Sequence, residues 1–372
     1  MPKRCGTCLV WKKLMKPITK ITIGTRASKL AMIQTELVIE RLRRCWPTLE
    51  IAIEQIHTRG DHVQDKPLSQ IGGDGVFVTE IERALREERI DLAVHSLKDL
   101  PTAQPAGLHL TVIDSREDVR DVLVFQSTSM LPLPEHGGQS GAAAWQSSSL
   151  TPPLIAGNAP PGHPSHPLRV GTCSLRRTAQ ILALYPDAQI LPLRGNVDTR
   201  LRKLDAGNYD CIVLAAAGLH RLNLHERLAD RLLYLPVDVM MPAPGQGALA
   251  LETRDEAAMR ALIAPLSSPA EQATTSAERM FMRRLGAGCY LPVAAYGEIT
   301  GNFLTLRGLV ISRDGQQQVR VQQSMGWAPQ TPVEQAERLG ALLAEQALAR
   351  GASEIIRSLN SVTPVEQEKQ YV

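Results

Sequence analysis

The chain has 372 residues and a formal net charge of +3, so its length predicts two or three domains and its charge gives no sign of bulk nucleic-acid binding. Aromatic residues make up 4% of the chain, which argues against a surface that stacks bases. The six cysteines are too dispersed for a disulfide framework and suit a reducing compartment, so we expect a cytoplasmic protein. No run of about 18 apolar residues occurs, so we expect no membrane span.

Strands alternate with helices in the first quarter of the chain, which predicts a mainly parallel α/β sheet. A polar segment with several glycines, 62–75, is expected to be a mobile loop. The predicted strands are 18–23, 51–56 and 91–95, one predicted helix contains Leu30, Ile33, Leu37 and Leu42, and a second spans 77–88.

A second α/β unit follows a charged segment, 114–121, that we expect to be a hinge. Within this unit, 127–168 contains eight prolines, five glycines and a single charged residue, Glu135. Such a composition buries little apolar surface, so it predicts a disordered insertion. The expected strands are 122–125, 168–171, 189–193 and 211–215, and the expected helices are 174–184, with Ser174 as N-cap, and 196–205.

The pattern changes near Pro269 and predicts a third, α+β domain. A rigid connector with glycine joints, 242–247, and a strand at 248–252 come before it. The third domain is expected to contain a helix from 269 to 285, strands near Val293, Phe303 and Val319, and two closing helices at 332–349 and 352–359.

Arginines cluster near the ends of the predicted strands, where ligands of open α/β sheets bind. A guanidinium group holds a carboxylate through two parallel hydrogen bonds. The set therefore predicts a polyanionic ligand rich in carboxylates, although any one arginine also fits a solvated helix face. Its members are Arg26, Arg176, Arg177, Arg194, Arg200, Arg202 and Arg221.

A second chemical element is the stretch HSLKDLP, 95–101, which follows an apolar strand and ends at a proline. Lys98 and Asp99 are expected to point from a loop into a cleft. A carboxylate among arginines stays ionised, so Asp99 is suited to stabilise a cation or to accept a proton. The same spacing also fits a simple ion pair between Lys98 and Asp99.

The third element is Cys289, which lies in the glycine-bearing stretch LGAGCYLP. No second cysteine or histidine lies nearby, so a disulfide or a metal site does not explain it. Cys5 and Cys8 form an isolated C-x-x-C without the second ligand pair that zinc needs, and we expect no metal. The sequence also has no G-x-G-x-x-G, P-loop or G-x-S-x-G motif. A chemical use of the Cys289 sulfur remains the favoured interpretation.

With these residues in place, the chain resembles the hydroxymethylbilane synthase family, also called porphobilinogen deaminase. The resemblance runs from about residue 18 to the C-terminus, apart from 127–168. It is carried, in order, by IGTRASKLA, HSLKDLP, GTCSLRR, LRGNVDTRLRKL, LAAAGLHRL, PAPGQGALALE and GAGCYLP.

The resemblance implies a transferase of heme and tetrapyrrole biosynthesis. Such an enzyme deaminates four porphobilinogen molecules and condenses them head to tail on a dipyrromethane cofactor, then hydrolyses the linear tetrapyrrole free. The cofactor is implied to be attached to Cys289 through a thioether. A monomer is expected, with porphobilinogen as its partner and with neither nucleic acid nor membrane.

The resemblance also assigns roles to residues. Lys98 and Asp99 are implied to be catalytic, with Asp99 stabilising the positive charge that develops on deamination and coupling. The implied cofactor ligands are Cys289, Lys98, Asp99, Ser96, Thr172, Ser174, Arg176 and Arg177. The implied substrate ligands are Arg26, Ser28, Arg194, Arg200, Arg221 and Gln246.

The fold implied by the resemblance is α/β, with two periplasmic-binding-protein-like lobes and a smaller α+β C-terminal domain. The lobes are expected to hold mainly parallel sheets with helices on both faces. We expect an extension at 1–17, a first lobe at 18–115 and 242–266, a second lobe at 119–239 that contains the insertion 127–168, and a third domain at 269–372 that carries Cys289.

Three positions depart from the family pattern. Asp74 and Thr79 stand where lysines are usual, and Cys173 stands where a serine is common. Two other classes also fit parts of the sequence. A non-catalytic, two-lobe carboxylate-binding protein would explain the arginines but leave Cys289 unused, and a regulatory effector domain would need a DNA-binding helix-turn-helix that we do not find.

Overall fold

The chain was studied as a computed structural model, which describes residues 18–58, 78–103, 105–114, 116–127, 167–286 and 291–361. The predicted loop at 62–75, the extension at 1–17, nearly all of the insertion at 127–168, and Cys289 lie outside these residues. Among the described residues, no helix has the length and apolar character needed to cross a membrane.

The first lobe is built on a five-stranded sheet with the order β2-β1-β3-β10-β4. Its strands are β1 (Lys20–Thr25), β2 (Glu50–Gln55), β3 (Leu92–Ser96), β4 (Leu108–Val112) and β10 (Leu249–Arg254), and its helices are α1 (Lys29–Cys45), α2 (Thr79–Arg86) and α6 (Ala257–Ile263). Strand β10 runs antiparallel to both of its neighbours, so four of the five strands share one direction. Apolar residues of α1 and α6 pack on one face and those of α2 on the other.

The second lobe repeats this plan with the order β7-β6-β8-β5-β9. Its strands are β5 (Asp121–Phe125), β6 (Arg169–Gly171), β7 (Gln189–Leu191), β8 (Cys211–Ala215) and β9 (Leu232–Tyr234), and its helices are α3 (Leu175–Leu184), α4 (Val197–Asp205) and α5 (Ala216–Arg221). Strand β5 is antiparallel to β8 and β9. Its side chains alternate between two cores, as the pleat requires, with Val122 and Val124 on one face and Leu123 and Phe125 on the other.

Two segments connect the lobes and lie against each other. The amide of Glu117 donates to the carbonyl of Gly247 over 3.0 Å. Gly247 has φ +86°, and a Cβ there would lie 2.3 Å from the Glu117 carbonyl oxygen. Only glycine therefore lets the two connections approach this closely.

The third domain is a three-stranded antiparallel sheet covered by helices. Its elements are α7 (Pro269–Arg284), β11 (Val293–Thr300), β12 (Phe303–Ile311), β13 (Gln318–Gly326), α8 (Val333–Ala347) and α9 (Ser353–Ser361). Phe281 of α7 is fully buried in its core, against the strands and α8. The other side of the sheet packs on lobe 2, where Leu309 and Ile311 contact Ala179 of α3.

The structure confirms the predicted class of two α/β lobes and a smaller C-terminal domain with an antiparallel sheet. The predicted elements occur with ends shifted by a few residues, and the segment expected as a hinge ends at Asp121, which is the first residue of β5. Sequence analysis missed β4, β9, α5 and α6. These are short elements whose formation depends on tertiary packing more than on a local pattern.

Candidate active site between the lobes

Functional side chains collect at the carboxyl ends of the parallel strands. Arg26 follows β1, the HSLKDLP stretch continues from β3, and Thr172 follows β6. The antiparallel strands β10 and β5 begin at these same edges. Leu249, the first residue of β10, pairs with Ser96, the last residue of β3, and Asp121, the first residue of β5, pairs with Ala215, the last residue of β8. The residues that lead into β10 and β5 therefore join the same region as the residues that leave β3 and β8.

Lys98 and Asp99 lie in a single 3-10 turn, Leu97–Asp99, rather than in an irregular loop. Leu97 is fully buried and anchors the turn, and the amide of Leu100 closes it by donating to the Leu97 carbonyl over 3.1 Å. Asp99 is exposed and Lys98 is partly buried. The turn thus presents a carboxylate to solvent beside an amine that is turned inward.

The Lys98 amine donates to Gln246 Oε1 over 3.3 Å. Burial and the nearby Arg177 guanidinium lower the pKa of Lys98 to about 8, although Asp99 and Asp121 act in the opposite direction. Lys98 therefore sits among cations at a place where an added anion would be favourable.

Gln246 is fully buried and links the two lobes. Its Nε2 donates to the Val119 carbonyl over 2.7 Å and to Asp121 Oδ1 over 3.1 Å, while its Oε1 accepts from Lys98. With both ends of the amide engaged, Gln246 is suited to hold neighbouring side chains in position. That arrangement does not favour the expected contact with substrate.

Asp121 is the centre of a buried charge cluster. Arg176 donates to Asp121 Oδ2 over 2.7 Å, and Arg177 donates to Oδ1 over 2.7 and 3.1 Å. Burial alone would raise the pKa of Asp121, but the two guanidinium groups outweigh it and hold that pKa well below its usual range. The cluster holds two cations against one anion and keeps a net positive charge.

The two arginines are further fixed by main-chain carbonyls. Arg176 also donates to Met241 over 2.7 Å and Arg177 to Val213 over 3.1 Å. Both side chains are buried at the first turn of α3. Their positions are therefore set before any ligand binds.

The remaining predicted arginines differ in how they are held. Arg200 donates to the Gly195 carbonyl over 2.8 Å, and burial together with Arg177 lowers its pKa to about 10. Arg221 donates to the Gly247 carbonyl over 2.7 Å, and burial lowers its pKa to about 10 as well. Arg26 and Arg194 are partly buried beyond the ends of β1 and β7.

The predicted hydroxyl ligands occupy helix starts and strand ends. Ser28 caps α1 by accepting from the Ala31 amide over 3.3 Å. Ser96 accepts from Gln34 Nε2 over 2.9 Å, and Thr172 accepts from the Ser174 amide over 3.1 Å. Ser174 occupies the N-cap position of α3, as predicted. These hydroxyls shape the ends of the elements that line the site.

Helix α7 of the third domain reaches both connections between the lobes through Glu278. This fully buried carboxylate accepts from the amides of Gly245 and Gly297 over 2.7 and 2.8 Å. It also accepts from Arg116 Nη2 over 2.8 and 3.0 Å. Burial raises the pKa of Glu278, while Arg116 opposes that shift.

The helix that carries Glu278 also leads toward Cys289. Helix α7 ends at Arg284, and Gly286 follows it with φ +65°, a left-handed conformation that suits glycine just past a helix end. The chain is described again from Leu291, just before β11. In the sequence, Cys289 thus lies between α7 and β11 of the third domain.

Two residues of this site were not singled out by sequence analysis. Asp121 was placed at the end of the expected hinge, and Glu278 was given no role within the expected helix from 269 to 285. A signal existed for Asp121, because it is an acid at the start of a strand whose other residues are all apolar. No comparable signal existed for Glu278, whose partners Arg116, Gly245 and Gly297 come from three other parts of the chain.

Comparison with known proteins gives a consistent result. Residues 21–261 match the family model described as porphobilinogen deaminase, dipyromethane cofactor binding domain, and residues 273–349 match the model of the porphobilinogen deaminase C-terminal domain. A porphobilinogen deaminase of Roseiflexus castenholzii is 43% identical over 338 residues, which cover 90% of this chain and 98% of that protein. One from Syntrophotalea carbinolica is 44% identical over 346 residues, which cover 92% and 97%. Because one family model matches residues 21–261 and the other matches residues 273–349, and these relatives cover 90% and 92% of the chain, the chain belongs to the porphobilinogen deaminase family.

Proposed function

We propose that this chain is a hydroxymethylbilane synthase, which deaminates porphobilinogen and joins the rings into a linear tetrapyrrole. The main support for the proposal is that the Lys98 amine lies close to Asp99 and to the Arg176 and Arg177 guanidinium groups, in a chain of this family. Each porphobilinogen brings an acetate and a propionate, and these cations match those carboxylates.

The family model includes a dipyrromethane cofactor, and the residues of the site fit such a group. We propose that Ser96, Lys98, Asp99, Thr172, Ser174, Arg176 and Arg177 hold it and that Cys289 carries it through a thioether. When bound, this group supplies the pyrrole end onto which new rings are added. The residual positive charge of the Asp121 cluster supports the binding of its carboxylates.

Incoming substrate and the growing chain are proposed to bind Arg26, Ser28, Arg194, Arg200 and Arg221. The burial of Arg200 and Arg221 supports this, because a partly desolvated guanidinium regains favourable interactions when a carboxylate arrives. Gln246 is proposed to act indirectly, by holding Lys98 and Asp121.

Asp99 is proposed to act on the porphobilinogen that reacts. The aminomethyl group reacts in its protonated form: as its C–N bond breaks, ammonia leaves with the bonding electron pair and the remaining methylene becomes cationic. A carboxylate close to that carbon and to the pyrrole N–H stabilises the charge. Asp99 is exposed at the tip of its turn, and this supports its contact with a ligand in the cleft.

We further propose that the chain acts as a cytoplasmic monomer, with the domain boundaries expected from its sequence. The separation of its strands into two lobe sheets and one third-domain sheet supports those boundaries. A non-catalytic carboxylate-binding protein would use the arginines but not Cys289 or Asp99, and family membership does not favour it.

The direct test is to incubate the purified protein with porphobilinogen and to measure ammonia and products together. The proposal predicts one ammonia released per porphobilinogen consumed and a linear tetrapyrrole detected by mass. Binding of porphobilinogen without release of ammonia would support the non-catalytic alternative instead.

A further inference from the structure

Helix α7 touches the turn that carries Lys98 and Asp99 through one side chain. Arg279 Nη1 donates to the Leu100 carbonyl over 3.2 Å, and Nη2 donates to the Pro101 carbonyl over 2.6 Å. Arg279 belongs to the third domain and both carbonyls belong to lobe 1. The contact therefore crosses from the helix that leads toward Cys289 to the turn that presents Asp99.

The two carbonyls lie where small movements matter for Asp99. Leu100 directly follows the turn Leu97–Asp99, and its amide closes that turn onto Leu97. Pro101 has a restricted φ, so fixing its carbonyl and that of Leu100 limits the orientation of the two peptide groups that follow Leu100 and so restrains the chain next to Asp99. A guanidinium group is a rigid fork, which suits it to hold two acceptors at a set separation.

The helix that provides Arg279 is itself anchored. Its neighbour Glu278 is fully buried and accepts from the Gly245 amide over 2.7 Å and from Arg116 over 2.8 Å. Consecutive residues of α7 thus bind the segment that contains Gln246 and the segment that contains Asp99. Because α7 is held in place in this way, the Arg279 side chain can set the position of the turn Leu97–Asp99 relative to the third domain.

We infer that Arg279 is a positioning residue of the reaction, which holds Asp99 at a set place relative to helix α7 of the third domain. This inference rests on the proposed function, because it gives Asp99 a chemical task. Arg279 acts through the main chain of Leu100 and Pro101. It needs no contact with substrate to do so.

The competing explanation is that Arg279 only strengthens the contact between two domains. In that case its loss would lower the stability of the whole chain and leave the local dynamics of the turn and the rate of the chemical step unchanged. A positioning role instead predicts a local change at the turn together with a slower chemical step.

The experiment compares the parent with Arg279→Gln and Arg279→Lys. The matched control is Arg284→Gln, because Arg284 lies on the same helix but pairs with Glu345 at an exposed site over 3.1 Å. Intact mass gives the cofactor content, hydrogen exchange at the Leu100 amide reports the turn, and single-turnover ammonia release reports chemistry.

We expect Arg279→Gln to retain the dipyrrole, to exchange the Leu100 amide about tenfold faster, and to release ammonia about tenfold more slowly, since small misplacements of reacting groups have effects of this size or larger. Arg279→Lys should recover part of both effects, because an amine can donate to one carbonyl at a time. Arg284→Gln should match the parent in all three measurements.

Parent-like exchange and parent-like ammonia release in Arg279→Gln would overturn the inference. If that variant does not fold, Arg279→Lys decides, and parent-like values for both quantities would overturn the inference equally. A parent that carries no dipyrrole and releases no ammonia would instead contradict the proposed function, and exchange at Leu100 would still report whether Arg279 holds the turn.

Discussion

Gln246 accepts a hydrogen bond from Lys98 over 3.3 Å and donates to Asp121 over 3.1 Å. Lys98 belongs to the turn after β3 in lobe 1, and Asp121 begins β5 in lobe 2. One buried amide therefore connects the amine of one lobe to the carboxylate that holds Arg176 and Arg177 in the other.

Gln246→Met tests this connection, because it keeps a similar volume and removes both hydrogen-bonding ends. It leaves buried partners unsatisfied, so we expect a loss of about 1–3 kcal/mol in the free energy of unfolding. This loss is measured by denaturant unfolding, with Gln246→Met placed in a Cys289→Ala chain so that bound cofactor does not contribute to stability. Gln322→Met, at an exposed position on β13, is the control and should change little. If Gln246→Met in a chain that retains Cys289 raises the KM for porphobilinogen while stability is unchanged, Gln246 contacts substrate directly.

Asp121→Asn removes the only carboxylate that Arg176 and Arg177 contact in the described part of the chain. Loss of one partner of a buried ion pair costs about 3–5 kcal/mol, and we expect a decrease of that size in the free energy of unfolding. Asp118→Asn, which affects a more exposed pair with Arg120, should cost about 1 kcal/mol or less. Equal losses in the two variants would contradict a central role for Asp121.

The pH dependence of the same variant has a definite sign. The pKa of Asp121 is lower in the folded protein than in the unfolded chain. Its contribution to stability is therefore fully present above about pH 4, the unfolded value, and is lost as the pH falls below it. The difference between parent and Asp121→Asn should shrink on acidification, as thermal unfolding at several pH values will measure.

The lowered pKa of Lys98 leads to a prediction about protein stability at alkaline pH. Its pKa is lowered to about 8 in the folded protein, below the ordinary lysine value of 10.5 that applies in the unfolded chain. Below pH 8, Lys98 is charged in both states, and burial of its charge lowers the stability of the folded protein by the full amount. As the pH rises from about 8 to 10.5, the folded protein has already lost this proton, and the destabilisation decreases. In a Cys289→Ala background, Lys98→Met should therefore raise the unfolding temperature at pH 7 and raise it less at pH 9. The same stabilisation at both pH values would show that the charge of Lys98 is not responsible.

Asp99→Asn tests the proposed chemical step, because it keeps the shape of the side chain and removes its charge. We expect bound cofactor to be retained and kcat to fall by a factor of about 10² or more, as for loss of a positioned electrostatic group. Asp99→Glu should keep a measurable remnant, because its charge survives at a shifted position. The measurement is single-turnover ammonia release after confirmation of bound cofactor by mass. Release at nearly the parent rate from Asp99→Asn would contradict a need for the charge.

The sequence predicted much of this fold because its apolar runs and helix caps act locally. Each strand that was expected to end near a functional residue does so, including β3 before Lys98 and β6 before Thr172. The cause is general, since parallel strands deliver their carboxyl ends to one edge of a sheet. The α/β class followed from the alternation of strands and helices, and the two-lobe arrangement followed from the family resemblance.

The same rule explains what sequence analysis did not find. Asp121 begins strand β5 and Gln246 lies shortly before strand β10, and each of these strands is antiparallel to its neighbours. Their amino ends therefore lie at the functional edge, and strand direction could not be read from the residues alone. The contact of Glu278 with Gly245 spans 33 positions and depends on how the third domain docks.

The central claim is that Cys289 alone carries the dipyrromethane. Digestion of the purified parent followed by peptide mass mapping tests it most directly, with Cys289→Ala and Cys173→Ser as companions. Cys173 is a suitable control because it is exposed and belongs to the GTCSLRR stretch beside Arg176. The account predicts a dipyrrole adduct on the peptide that contains Cys289, its loss in Cys289→Ala and its retention in Cys173→Ser. An adduct on any other cysteine, or a dipyrrole that persists in Cys289→Ala, would contradict the account.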